Sequence, residues 1–105
     1  MNRAINKRLQ KIASCLKVQY GAEQVILYGS YAQGTAGPNS DIDLLVIAQT
    51  DEKFYQRMAT VKGLIRGLRK GLAVSPMVLT RKELEKRVQI NDKFITHILK
   101  QGIRL

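Results

Sequence analysis

The 105 residues predict a single α+β domain, a two-layer arrangement in which a small β-sheet is flanked by helices. Three observations carry this. Apolar residues recur at spacings of three and four in several segments, short β-rich apolar runs alternate with those segments, and the length suffices for one core only. A chain of this size buries roughly 60–70 % of its unfolded surface, enough to fold without a metal or disulfide staple. No repeat, linker or low-complexity stretch divides it, so residues 1–105 are taken as one domain.

Ile5, Leu9, Ile12 and Leu16 predict an amphipathic helix over roughly residues 2–19, closed by Gly21. Gln24 to Gly29 reads as a strand, and Ser30 to Gly34 leaves room for one helical turn before the loop chemistry of "TAGPNS". "DIDLLVIA" predicts a second strand, central in the sheet because Leu44 to Ile47 are apolar on both faces. Phe54, Met58, Val61, Ile65 and Leu68 predict one buried stripe on a helix from about Asp51 to Lys70. On the same helix Lys62, Arg66 and Arg69 form a solvated basic face that could meet a partner, and Gly63, Gly67 and Gly71 form a third face permitting close packing. "LAVSPMVL" predicts a strand placed at an edge or bulged by Pro76. "TRKE" is a capping box opening a further helix. Asn91 and Asp92 start the last one, with Phe94, Ile95, Ile98 and Leu99 inward and Gly102 as its stop.

Lys and Arg number 18 against 8 Asp and Glu, a net charge of +10 that attracts polyanions or an acidic protein surface. No Lys or Arg lies between Val18 and Glu52, so that stretch is a locally acidic island. Nucleic acid as a ligand rests on charge alone, with no accompanying motif and few aromatics, and is not favoured. Cys15 is the one cysteine and reads as a small buried hydrophobe, while the lone His97 reads as a surface or packing residue. With no apolar run at the start and no cysteine pair, the chain reads as cytoplasmic. Homo-oligomerisation is left open.

The island carries the chemistry. A glycine at a strand end admits a ligand close to the backbone, and Ser30 at the head of a helical turn adds a hydroxyl and free N–H groups, so Gly29 and Ser30 suit a phosphate. Asp41 and Asp43 are two apart, so on a strand their carboxylates share a face and repel. A divalent cation between them removes the repulsion, and hard oxygen donors favour Mg²⁺ or Mn²⁺. Basic side chains would compete with the metal there. The plainer reading makes Asp41 a loop cap and Asp43 a strand-end residue.

Gly29-Ser30, ten residues, then Asp41-Ile42-Asp43 resembles the signature of the DNA polymerase beta nucleotidyltransferase superfamily, and specifically its minimal nucleotidyltransferase (MNT) proteins. The likeness spans nearly the whole chain, including the ending from Phe94 to Gly102. It implies a mixed sheet with flanking helices, Mg²⁺ with ATP as substrate, and transfer of AMP to a hydroxyl. It further implies a HEPN-domain toxin as partner, neutralised by this antitoxin. Gly29 and Ser30 would hold triphosphate, and Asp41 and Asp43 would bind metal, with Ser30, Asp41 and Asp43 as catalytic residues.

Two departures stand out. The third carboxylate of active members falls on Ser75, which cannot serve as a base at neutral pH, leaving water, Asp51, Glu52 or the partner for that role. The basic residues that often follow the glycine-serine pair are replaced by Tyr31 and Gln33. The alternative to an enzyme is therefore a degenerate module that keeps nucleotide or partner binding without turnover.

Overall fold

The computed structural model describes residues 3–105. Helix α1 (Arg3–Gln19) buries Leu9, Ile12, Ala13 and Leu16, and its predicted first residue, Asn2, lies outside the described residues. Gly21, at φ 71°, turns the chain into β1 (Ala22–Tyr28). The short α2 (Ser30–Gln33) and a loop lead to β2 (Ile42–Ala48), and α3 (Phe54–Leu64) crosses to β3 (Val74–Leu79). Then come α4 (Arg81–Gln89), α5 (Lys93–Gln101) and a two-residue β4 (Ile103–Arg104).

The sheet has the order β3-β2-β1-β4. β1 runs antiparallel to β2 and to β4, and β2 runs parallel to β3, so the sheet is mixed. β2 is internal as its apolar run predicts, and Pro76 sits on the edge strand with no break in register, pairing opposite Leu44. Helices cover both faces. α1 and α3 pack with Val25, Leu27, Leu44 and Val46, while Ile95 and Ile98 of α5 pack with Ile26, Leu45 and Ile47. The α+β class stands, with three layers in section and not two, because alternate residues of β1 and β2 are apolar toward both sides.

Three expectations fail for physical reasons. α3 ends at Leu64 and residues 65–71 curl into turns, where Gly63 and Gly67 lower helix propensity by about 1 kcal/mol each relative to alanine. The Arg8 guanidinium donates to the carbonyls of Leu68 and Lys70 and so holds the turn. Lys62, Arg66 and Arg69 thus do not share a helical face, and a Cβ on Gly63, Gly67 or Gly71 would meet open space, which rules out close packing there.

The buried stripe of α3 is also different. Val61 and Ile65 are buried, but Phe54 and Met58 are exposed and Arg57 takes an inward position. Its guanidinium donates to the carbonyls of Glu52 and Val78 and forks onto the Glu83 carboxylate, at 2.6 Å for the shorter contact. Glu83 is the third residue of the Thr80 capping box, so this pair ties α3 to the start of α4.

On α5, Ile95 and Ile98 are buried, Leu99 is partly buried and Phe94 is largely exposed. β4 has no counterpart in the sequence reading. Gly102 makes it possible, since a Cβ there would lie 2.5 Å from Ile26 Cγ2 and from the Ile98 carbonyl. No helix among the described residues is long and apolar enough to cross a membrane.

Candidate active site

The site is assembled where β1 ends and β2 begins. Their antiparallel pairing sets Tyr28 opposite Asp43, and the parallel β2–β3 pairing sets Ser75 beside Asp43 on the other side. Register partners share a face, so Tyr28, Asp43 and Ser75 form one row across three strands. Below that row the same face is filled by Ile26, Leu45, Ile47, Met77 and Leu79 under α5 and α4. At the row itself the apolar filling stops.

Gly29 follows Tyr28 with φ 75° and ψ −153°, a conformation that side-chain-bearing residues rarely adopt. A Cβ built on it would stand 2.4 Å from Asp43 Oδ2. The turn is therefore laid directly on the Asp43 carboxylate, and only glycine allows it. Its carbonyl accepts from the N–H groups of Ala32 and Gln33 and so starts α2, which places Ser30 at the head of that turn. On the other side the Gly37–Ser40 turn, closed by the Ser40 hydroxyl accepting from Gly37 N–H at 2.8 Å, delivers Asp41 to the start of β2.

Asp41 is exposed and Asp43 is partly buried. Burial first, and the Asp41 charge second, push the Asp43 carboxyl above its usual range. The Asp43 carboxylate is thus disfavoured mainly by its partial burial, with the neighbouring Asp41 charge adding to it. Hard oxygen donors, mutual repulsion and an approachable backbone fit a divalent cation carrying phosphate oxygens. No group of three or more ligating side chains exists among the described residues, in keeping with serine at position 75. Tyr28 is likewise raised, by burial and then by the Asp43 charge, and keeps its proton.

All four predicted residues, Gly29, Ser30, Asp41 and Asp43, thus converge at one end of the sheet, with Ser75 adjoining. Glu52 does not. It lies beyond the far end of β2, four residues past Ala48, and Ala48 alone is about 16 Å along the strand from Asp43. Its carboxylate accepts from the Tyr20 and Thr60 hydroxyls. Those bonds hold it below the usual range, with Thr60 the larger cause. Asp51 is next to it in sequence, so neither can relieve Ser75 of the base role.

Two residues beside the site are not read as part of it from the sequence, Phe94 being expected inward on the last helix and His97 at the surface or in packing. Phe94 meets the Tyr28 ring edge-on, centroids 5.7 Å apart at 86°. His97 is exposed on α5 and borders a small cleft beside Tyr28 and Gly29. The strand register that joins Tyr28 to Asp43 is the signal that finds them, and no single segment contains it.

Three comparisons bear on this geometry. A family model described as a nucleotidyltransferase domain matches residues 9–103. Two proteins of Methanocaldococcus jannaschii, each bearing the name "Putative protein adenylyltransferase", are similar to the chain. One is 34% identical over 80 residues, covering 76% of this chain and 78% of its own. The other is 30% identical over 98 residues, covering 91% and 92%. A crystal structure described as "a putative nucleotidyltransferase from Sulfolobus solfataricus" aligns with a TM-score of 0.52 at 26% identity, over 82% of this chain and 81% of that one.

Proposed function

Because this chain belongs to the nucleotidyltransferase domain family, we propose that it transfers AMP from ATP, with Mg²⁺ or Mn²⁺, to a hydroxyl of a partner protein. The observation that carries the reading is the Gly29 turn lying on the Asp43 carboxylate with Asp41 alongside. Phosphate-approachable backbone and paired hard oxygen donors, brought together by the β1–β2 pairing, are what a metal-bound triphosphate needs.

Asp41 and Asp43 would hold the cation, which when bound supplies charge neutralisation and Lewis-acid polarisation of the phosphate oxygens. Gly29 offers backbone with no side chain in the way, and Ser30 offers its hydroxyl and N–H to the triphosphate. The acceptor oxygen attacks the α-phosphorus while the bond to the bridging oxygen of the β-phosphate breaks, and pyrophosphate leaves. The acceptor's proton passes to water or to a group of the partner, since Ser75 occupies the place where a carboxylate would accept it. The protein acceptor is supported by the names of the two relatives. We further propose that it is a HEPN-type toxin neutralised by the modification, which makes this chain an antitoxin.

The position of Ser75 favours a second reading, a module that binds nucleotide or partner without turnover. Intact mass of a HEPN-domain acceptor after incubation with ATP and Mg²⁺ separates the two. Gain of one AMP, abolished by Asp41→Asn/Asp43→Asn, supports transfer, and ATP binding without any gain supports the module.

A further inference from the structure

We infer that the Tyr28–Phe94 aromatic pair, with His97 one turn further along α5, is the nucleobase subsite and that it favours purine over pyrimidine nucleotides. The inference rests on the nucleotidyltransferase reading and deepens it.

Phe94 is the unusual residue of α5. The helix buries Ile95 and Ile98 almost completely, yet leaves Phe94 55% exposed. It is exposed but not loose, because the edge-on contact with Tyr28 fixes its ring. Tyr28 is the cross-strand partner of Asp43, so the pair stands next to the carboxylates.

Phe94, His97 and Gln101 occupy positions i, i+3 and i+7, a single face of α5. His97 and Gln101 close on Tyr28, Gly29 and Gln33 to form the small cleft beside the turn. The phosphate-holding turn, the His97 imidazole and Gln101 amide beside it, and the Phe94 ring fixed on Tyr28 thus lie next to one another, with groups able to meet a ribose or a base edge between turn and ring.

The opening on the other side of the turn runs between Tyr31, Pro38, Ser40 and Leu72. There the Tyr31 ring is packed against the core, and the rest of the lining is loop and the first residue of β2, Ile42. Tyr31 is partly buried, whereas Phe94 is exposed. A base directed toward α5 gains stacking on Phe94, and a purine covers more of the ring than a pyrimidine does.

The test is calorimetric titration of the full chain in Mg²⁺ with ATP, CTP and inorganic tripolyphosphate, for wild type, Phe94→Ala and Phe94→Trp. Wild type should bind ATP more tightly than CTP, and CTP at least as tightly as tripolyphosphate. Phe94→Ala should weaken ATP by about 5- to 100-fold and leave tripolyphosphate unchanged, and Phe94→Trp should retain ATP. Unaltered ATP affinity in Phe94→Ala, or an equal loss for tripolyphosphate, would overturn the subsite. Wild type binding ATP no better than tripolyphosphate would overturn the subsite alone, whereas wild type binding neither would overturn the functional reading with it.

Discussion

Ser75 stands in register with Asp43 across the parallel β2–β3 pair, on the same face of the sheet and one strand spacing away. Pro76 does not bulge the strand, so a carboxylate at position 75 would project beside Asp43. Ser75→Asp should therefore raise single-turnover AMP transfer to the partner, by about 10²- to 10⁴-fold if it supplies the missing base. A variant that folds and binds ATP yet gains nothing would show that this position is not where the acceptor's proton is taken.

The elevated Asp43 carboxyl makes a prediction about stability. A carboxyl whose folded pKa exceeds its unfolded value of about 3.9 binds protons more readily in the folded state, so stability falls as pH rises through that interval and stays reduced above it. Asp43→Asn removes the charge and should raise the melting temperature at pH 7 without metal. The gain should vanish below pH 4, where the wild-type group is protonated. Melts across pH decide this, and a destabilised Asp43→Asn at pH 7 would contradict the unfavourable setting of that charge, partly buried and beside Asp41.

Gly29→Ala tests the contact between turn and carboxylate. A side chain on backbone of positive φ and extended ψ costs roughly 1–3 kcal/mol, and the added Cβ also collides with Asp43 Oδ2. Urea unfolding should show a loss exceeding the backbone cost. In an Asp43→Ala background the loss should shrink toward the backbone cost alone, a coupling that disappears if the two residues do not touch.

Arg57 should matter more for the fold than for the site. Truncating it to alanine removes the donor to the Val78 carbonyl and the Arg57 bonds to the half-exposed Glu83 carboxylate, a loss on the order of 1–3 kcal/mol. The Arg57 hydrogen bonds are the main cause holding Glu83 below its usual range, so the stability that Glu83 contributes is present above about pH 4.3 and fades as pH falls. Equilibrium unfolding of Arg57→Ala at pH 7 checks the first point. Unchanged ATP affinity in the folded fraction checks that the effect is structural.

Much of this arrangement was legible in the chain. Leu44 to Ile47 betrayed an internal strand because they are apolar on both sides, Thr80 and Glu83 announced a helix start, and the spacing from Gly29 to Asp43 brought the site together. The rest depended on partners distant in sequence. Arg57 is inward only because Val78 and Glu83 arrive from β3 and α4 to receive its donors. Phe94 looked like a core residue by spacing, but the Tyr28 ring meets it at the rim of the sheet. β4 is two residues long, too short for any pattern, and forms because Gly102 lets the chain close on β1.

The central claim is that Asp41 and Asp43 hold a divalent cation against a nucleotide seated on Gly29 and Ser30. Calorimetric titration of ATP into wild type and into Asp41→Asn/Asp43→Asn, each with and without Mg²⁺, tests it directly. The account predicts that wild type binds ATP tightly only with Mg²⁺ and that the double variant loses this Mg²⁺-dependent affinity while remaining folded. Equal affinity of the two proteins for ATP in Mg²⁺ would contradict it.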